Sequence, residues 1–355
     1  MRRSLLLLAL VLGAAGLSGC KTDDDTGDDI RTVVDHNGTT VTITGEIKRV
    51  VIYDMPLLAP SLIQYLGSSE KIVGMPNGSV QNNSVGLKVA PNLAEIANTS
   101  SMSIEDVINL EPDLVLSSYI DTEKLTNFRA VGLTTVAMNA STQGIDAVGT
   151  ISDWNKLFEG IFGDTSRSSK INTYNTTKRD YVKNAVKGIS APNRKKILYI
   201  PWFNGMPGSL WTSSNEYVAG YFAETTNAVN VAADSDVNVA LTVEEVINMN
   251  PDVIYLGSYP PSIGVDAFFE TDFVKNNLST INAVKNKDVY RIPGGGFNWF
   301  MPTSAEIALS LMFQAKCQYP TAFATLDMRQ EVKDFYTEFY EATLTEADLD
   351  IVFKN

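Results

Sequence analysis

An eleven-residue segment occurs twice in this chain, and it limits the folds available more than any other feature. Ser103-Ile104-Glu105-Asp106-Val107-Ile108-Asn109-Leu110-Glu111-Pro112-Asp113 returns 139 positions later as Thr242-Val243-Glu244-Glu245-Val246-Ile247-Asn248-Met249-Asn250-Pro251-Asp252, with six of the eleven residues identical. Each copy opens on a hydroxyl residue with an acid three positions on, the pattern of a capping box at a helix start. Each copy ends on Pro-Asp, leads into an apolar run, and reaches Ser-Tyr, at Ser118-Tyr119 and Ser258-Tyr259. One supersecondary unit used twice at this separation implies two similar lobes.

Strand and helix signals alternate around both copies. Short apolar strands are expected near 49–53, 71–74, 114–116, 134–138, 196–200, 253–256 and 289–292, and a helix over 57–66 should stop at Gly67. The alternation predicts an α/β fold in which each lobe is a parallel sheet flanked by helices. Residues 144–194 carry apolar positions at helical spacing and few strand formers, so helices are expected over 145–162 and 168–186. A helix of about 20 residues spans roughly 30 Å, enough to join two lobes as a rigid rod with a ligand cleft between them.

The amino terminus reads as an export signal. Arg2 and Arg3 precede an apolar stretch from Leu5 to Gly16, and Leu17-Ser18-Gly19 precedes Cys20. Cysteine in that setting resembles the lipobox of lipoproteins, in which the Cys20 thiol is acylated and becomes the new terminus. A disulfide from Cys20 to Cys317 is the alternative, and it would tie a flexible end to a core helix. The acidic stretch 21–30 has almost no apolar side chains to bury and reads as a tether. The expected organisation is a signal at 1–20, the tether at 21–30, a first lobe at 31–143, linking helices at 144–194 and a second lobe at 195–355. The formal charge of −13 becomes more negative once Arg2 and Arg3 are removed, which argues against nucleic acid and against electrostatic docking on anionic lipid. Contact with the membrane would then run through the lipid alone.

Several further segments carry a family resemblance. Residues 32–43, Thr-Val-Val-Asp-His-Asn-Gly-Thr-Thr-Val-Thr-Ile, stand before Lys48-Arg49-Val50-Val51; both Pro-Asp strand starts follow; Pro293-Gly294-Gly295-Gly296-Phe297-Asn298-Trp299-Phe300-Met301-Pro302 and Gln318-Tyr319-Pro320 close the series. In order and spacing these resemble the periplasmic binding proteins that serve siderophore, haem and cobalamin importers. The resemblance covers nearly all of 31–325 and implies two lobes, one long connecting helix, ligand held between the lobes, and limited hinge motion. It also implies that Glu105 and Glu244, at equivalent places in the two repeats, dock on arginines of the ABC permease dimer. Helix-dipole stabilisation in the first turn, worth about 0.3–1 kcal/mol, is the other role open to them.

In open α/β sheets ligands bind beyond the carboxyl ends of the strands. That rule nominates Tyr53, Asp54 and Met55, then 75–78, then Tyr119 to Asp121 in the first lobe. In the second lobe it nominates Trp202, Phe203, Asn204, Met206 and Trp211, then Tyr259 to Pro261, then Phe297, Asn298 and Trp299. Three of the four tryptophans fall in these loops, and flat aromatic faces suit a large, partly apolar ligand. The expected ligand contacts are Tyr53, Met55, Tyr119, Trp202, Phe203, Asn204, Trp211, Tyr259, Asn298 and Trp299. The single histidine, His36, sits in the opening hairpin as a surface turn residue, so no bare-metal cluster of imidazoles is expected, and no cofactor is expected either. A strongly anionic chelate held by a guanidinium cluster is disfavoured, because arginine is scarce in these loops.

No nucleophile with a base, metal cluster or phosphate cradle is legible, so an enzyme is not expected; Gly294-Gly295-Gly296 lacks the spacing of a dinucleotide fingerprint. A structural surface lipoprotein or adhesin is the alternative from another class, suggested by the tether and by the sequons at Asn37, Asn98 and Asn277. The reading that results is a monomeric, lipid-anchored, extracytoplasmic substrate-binding protein. Its cargo is a metal chelate, first a ferric siderophore, then a corrinoid, then haem.

Overall fold

The computed structural model describes residues 30–76, 84–206, 208–235, 239–257, 263–294, 296, 299 and 303–354. Strands β1 (Ile30–Val34) and β2 (Thr40–Thr44) form an antiparallel hairpin. The first large sheet contains β3 (Val50–Ile52), β4 (Ile72–Met75), β5 (Ala97–Asn98), β6 (Leu114–Ser118) and β7 (Thr135–Met138), in the order β5-β4-β3-β6-β7. The second contains β8 (Lys196–Ile200), β9 (Val229–Asn230), β10 (Val253–Leu256) and β11 (Val289–Arg291), in the order β11-β10-β8-β9. Every pairing within these two sheets is parallel. The molecule is thus two α/β lobes.

Parallel sheets are covered on both faces, so their strands read as unbroken apolar runs. That is why β3, β7 and β10 were legible: each is buried at every position. The two-residue edge strands β5 and β9 carry no such run and were not anticipated.

The repeat has the same job in both lobes. In each copy the hydroxyl N-cap and the acid three residues on close a reciprocal capping box, Ser103 with Asp106 and Thr242 with Glu245. The Pro-Asp that follows starts β6 and β10. Asp113 Oδ2 accepts from the backbone N–H groups of Lys48 and Arg49 at 2.7 and 2.8 Å, and Asp252 Oδ2 accepts from Lys196 N at 3.0 Å. Each aspartate therefore satisfies orphan donors at the mouth of the neighbouring strand, and it sets the registers Val50 to Leu114 and Ile197 to Val253.

Helix Leu58–Leu66 ends as expected at Gly67, whose φ of 73° places it in the left-handed cap conformation. The linking helices are Ala147–Phe162 and Ser166–Val186. The second has 21 residues and so spans about 31 Å. It packs along Ala147–Phe162 and along helix Ile307–Gln318 of the carboxyl-terminal segment. One continuous apolar cluster joins Leu62 and Ile63 of the first lobe to Trp154 and Phe158 of the linker and to Leu311 and Phe335 beyond it. The outer faces of the two sheets are packed separately, around Val107 and Phe128 in one lobe and Phe203 and Phe268 in the other.

Polar ties reinforce this bracing layer. Arg167 donates to Gln64 O and, at 2.7 Å, to Phe339 O. Ser61 and Gln64 of the first lobe donate to the carbonyls of Thr303 and Ala305. Asp348, at the N-terminus of helix Glu346–Val352, pairs with Lys88 at 2.5 Å. A shared core plus these ties opposes large hinge opening.

The Asp348 carboxyl is held down to about 2 by the Lys88 ammonium and by the Thr345 hydroxyl and amide, against 3.8 for an ordinary aspartate. A folded-state pKa below the unfolded one contributes stability that is present above pH 3.8 and lost as the pH falls through about 2. An acid titration followed by far-UV circular dichroism should therefore show Lys88→Ala losing less stability than wild type between about pH 4 and pH 2. Identical acid profiles would remove this tie from the account.

Candidate functional site

The carboxyl ends of β3, β6 and β7 carry one set of loops, and those of β8, β10 and β11 carry the other. Asp54, just past β3, accepts from Ser117 Oγ at 3.1 Å and Ser118 N at 2.7 Å, so its carboxylate ties β3 to the end of β6. Tyr53 turns onto the outer face of its lobe. Its hydroxyl donates to Met102 O at 2.7 Å, its ring meets Phe128 edge-on, and the Lys124 ammonium lies 4.7 Å from the ring centre. Met55 is half-buried against the common core. Tyr119 remains half-exposed after β6, and the neighbouring Ile120, within the nominated 119–121 loop, is 75% exposed.

His36 departs from its expected surface role. It is half-buried on the end of β7, where its backbone N–H donates to Ala137 O at 3.1 Å and its ring Nδ1 accepts from Asn139 N at 2.9 Å. Burial lowers its pKa, against the opposing pull of Asp153 and Asp35, and the neutral ring is the form that can accept. Asp35 beside it pairs with Arg129 at 2.5 Å. The hairpin is thereby clamped onto the loop end of the first sheet.

The second lobe presents the most distinctive surface. After β8 the chain is extended, and successive side chains alternate: Trp202 is 37% exposed, Phe203 is buried, and Asn204 is exposed. The returning segment alternates in the same way, with Leu210 buried and Trp211 40% exposed. Trp202 and Trp211 face each other across an isolated antiparallel bridge, with Trp211 N donating to Trp202 O, and Trp211 bridges in turn to Ala240. Residues directly opposite in such a pair hold their Cβ atoms about 4.5–5.5 Å apart. The two indoles therefore form one exposed patch, with Met206 on the connecting turn 61% exposed.

The pleat separates residues that stand together in sequence. Phe203, named with Trp202 as a ligand contact, is packed against Phe268 and Phe273 in the outer core, because neighbours on an extended strand point to opposite sides. Trp299, also named, is fully buried against Phe313 and Phe353. Neither ring is available to a ligand in this conformation. Asn204 is exposed, and its Oδ1 accepts from Met206 N at 3.0 Å. Gly257, at the end of β10, has the Pro201 carbonyl so close that a Cβ there would collide with it. Cys20, Phe297 and Asn298 lie outside the described residues, as do 77–78 and the whole of 259–261, Tyr259 included.

Among the described residues no group of three His, Cys, Asp or Glu side chains is placed to hold a metal ion, and no helix is long and apolar enough to cross a membrane. Glu105 and Glu244 are both exposed and make no ion pair among the described residues. The two residues of the repeat one turn further along, Ile108 and Ile247, are each 40% exposed.

Comparison with known proteins matches this arrangement. Residues 61–294 match the model of a family described as periplasmic binding protein. The molybdate-binding protein MolA of Haemophilus influenzae is 23% identical over 97% of this chain and 98% of its own length. YvrC, an uncharacterized ABC transporter substrate-binding lipoprotein of Bacillus subtilis, is 23% identical over 82% of this chain and 90% of its own. Among solved structures, a periplasmic solute binding protein from Veillonella parvula superposes with a TM-score of 0.81 at 25% identity, covering 92% of this chain and 97% of that one. MolA bound to molybdate superposes at 0.73 with 23% identity, covering 89% and 99%. With a family match across well over half its length and both lobes shared, this chain belongs to the periplasmic binding proteins, as the extracytoplasmic, non-enzymatic substrate-binding component of an ABC importer.

Proposed function

We propose that the cargo is a metal chelate with substantial apolar or aromatic surface, a ferric siderophore first, and a corrinoid or haem next. The observation that carries this reading is the exposed Trp202–Trp211 pair with Met206 beside it. Exposed tryptophans are costly in water, and each can bury about 150–250 Å² against a flat ligand. The loops beyond the strand ends, 53–57, 76–83, 119–121, 201–217, 258–262 and 292–302, contain no lysine or arginine. That lining suits a neutral or weakly charged complex.

Molybdate is the second reading, favoured by the likeness to MolA along nearly the whole chain. A small tetrahedral dianion gains little from an indole pair and relies on converging N–H and O–H donors, which serine, asparagine and backbone groups can supply. Tryptophan fluorescence separates the two. Saturable quenching is expected with a ferric hydroxamate siderophore, a cobamide or haem, and Trp202→Ala with Trp211→Ala should weaken it by about tenfold or more, roughly 1.4 kcal/mol. A saturable response to molybdate alone, indifferent to both substitutions, would reject the chelate reading in favour of the oxyanion.

Delivery falls to Glu105 and Glu244. Six positions are identical between the repeats, and three of them have structural duties: Val107 and Val246 are buried, and the Pro-Asp pairs start strands. The other three, Glu105, Ile108 and Asn109 with their partners Glu244, Ile247 and Asn248, are exposed. Folding does not require identity at exposed positions. A two-fold permease that meets each lobe with the same basic, partly apolar socket would require it. Acylation of Cys20 would hold the protein at the extracytoplasmic face of the membrane, with the acidic stretch 21–30 as its leash.

A further inference from the structure

A recess along the edge strand β11 of the second lobe, reaching from Lys195, Val253 and Asp288 at the strand starts to Pro293 just past the end of β11, has no place in this transport scheme. It measures about 650 Å³, within the range of small-molecule sites, and lies between the edge strand β11 and helix Ile307–Gln318. Phe313, Cys317, Met328 and Phe353 form the apolar part of its wall.

The polar groups around it are uneven in their commitments. Lys316 donates to the Leu326 carbonyl, Arg329 is paired with Glu346 and Asp350, and Asp327 caps helix Met328–Tyr340 through Arg329 N and Gln330 N. Asp288 accepts from the Tyr290 hydroxyl at 3.2 Å. Lys195 is different: its ammonium makes no hydrogen bond or ion pair among the described residues. Gln318 is different too. It is 1% exposed, it lines the recess, its amide oxygen has no hydrogen-bond partner, and its amide nitrogen has only the Tyr255 hydroxyl beside it, outside good hydrogen-bond geometry. The nearby Tyr255 hydroxyl is already given to Gln314 O at 2.9 Å. A buried amide so poorly answered favours an entering group that can accept from its nitrogen. Arg291 also lines the wall, and burial pulls its guanidinium below its ordinary pKa.

We propose that this recess is a second ligand site that takes an amphiphilic anion, an acyl carboxylate being the simplest case. Its head group would be met by Lys195 and by the Gln318 amide nitrogen. Its hydrocarbon body would lie along Phe313, Met328 and Phe353. The chain has a formal charge of −13, whereas the wall of this recess carries Lys195, Arg291, Lys316 and Arg329 against Asp288 and Asp327, a locally positive balance.

The test uses the intact protein and 1-anilinonaphthalene-8-sulfonate, itself an aromatic sulfonate, with dodecanoate as competitor. Saturable fluorescence enhancement displaced by dodecanoate is expected, together with a dodecanoate-dependent rise in melting temperature that needs no variant. Dodecylammonium, with the same chain and the opposite charge, should displace the probe at least about tenfold more weakly, and Lys195→Glu should weaken dodecanoate by a similar factor. Trp202→Ala should leave all of this unchanged. Absence of saturable binding, equal displacement by the two amphiphiles, or loss of binding in Trp202→Ala would each overturn the proposal. The last result would assign the probe to the strand-end cleft instead. None of these outcomes depends on which cargo the cleft carries.

Discussion

Reversing Glu105 and Glu244 together, as Glu105→Arg with Glu244→Arg, should cut cargo uptake by cells or proteoliposomes to background while leaving the affinity of the isolated protein for its cargo within about twofold. Both carboxylates are exposed and take part in no ion pair among the described residues, so their loss leaves nothing buried and unpaired. The capping boxes do not depend on them. Asp106 and Glu245 accept from the N-cap residues at 2.9 and 2.7 Å and stay in place. The remaining cost is the lost attraction of each carboxylate to its helix N-terminus and a similar repulsion of the arginine, about 0.6–2 kcal/mol per site, too small to unfold either lobe. Interface charges, by contrast, set encounter rate and register, and like charges opposed across an interface cost several kcal/mol. Single reversals should give intermediate uptake, since the other lobe would still bring its correct contact. Normal transport by the double variant would remove these residues from the docking surface.

A second large effect is expected from Tyr336→Phe, through stability. The Tyr336 hydroxyl is buried between two groups that need it: it donates to Glu306 Oε1 at 2.5 Å and accepts from Gly296 N at 2.6 Å. Burial, and then the Glu306 carboxylate beside it, push the phenol well above its usual pKa, so the proton it donates is retained at all physiological pH values. Removing the oxygen deprives a buried carboxylate of one donor and a buried amide of its acceptor, at about 1–3 kcal/mol each. Urea denaturation should show a loss of about 2–6 kcal/mol with an unchanged slope. The same substitution frees Gly296, which belongs to the loop after β11, so a weaker affinity for cargo is also expected. A stability change under about 0.5 kcal/mol would show that the hydroxyl is replaceable, for example by water.

Particular residues show how far the sequence could be read. The lobes, their strands and the linking helices were legible because each rests on a local rule: continuous apolar runs for strands covered on both faces, helical spacing for 145–186, and Gly67 as a left-handed cap. The short edge strands β5 and β9 were not legible, because two-residue bridges depend on a neighbour that the local pattern does not name. The same limit applied to the site. Trp202 and Phe203 look equivalent in a list of loop aromatics, yet the pleat sends one to solvent and the other to the core. His36 looks like a turn residue until the hairpin folds back onto β7.

What the chain determined by itself was its duplication and its family, both carried by short patterns whose physics is complete within a dozen residues. Which side chains reach solvent at the strand ends was decided only when distant segments met, as when 202 came to lie opposite 211 and the carboxyl-terminal helices closed over Trp299. Burial and pairing are properties of two surfaces together. A linear order of residues holds one of them at a time.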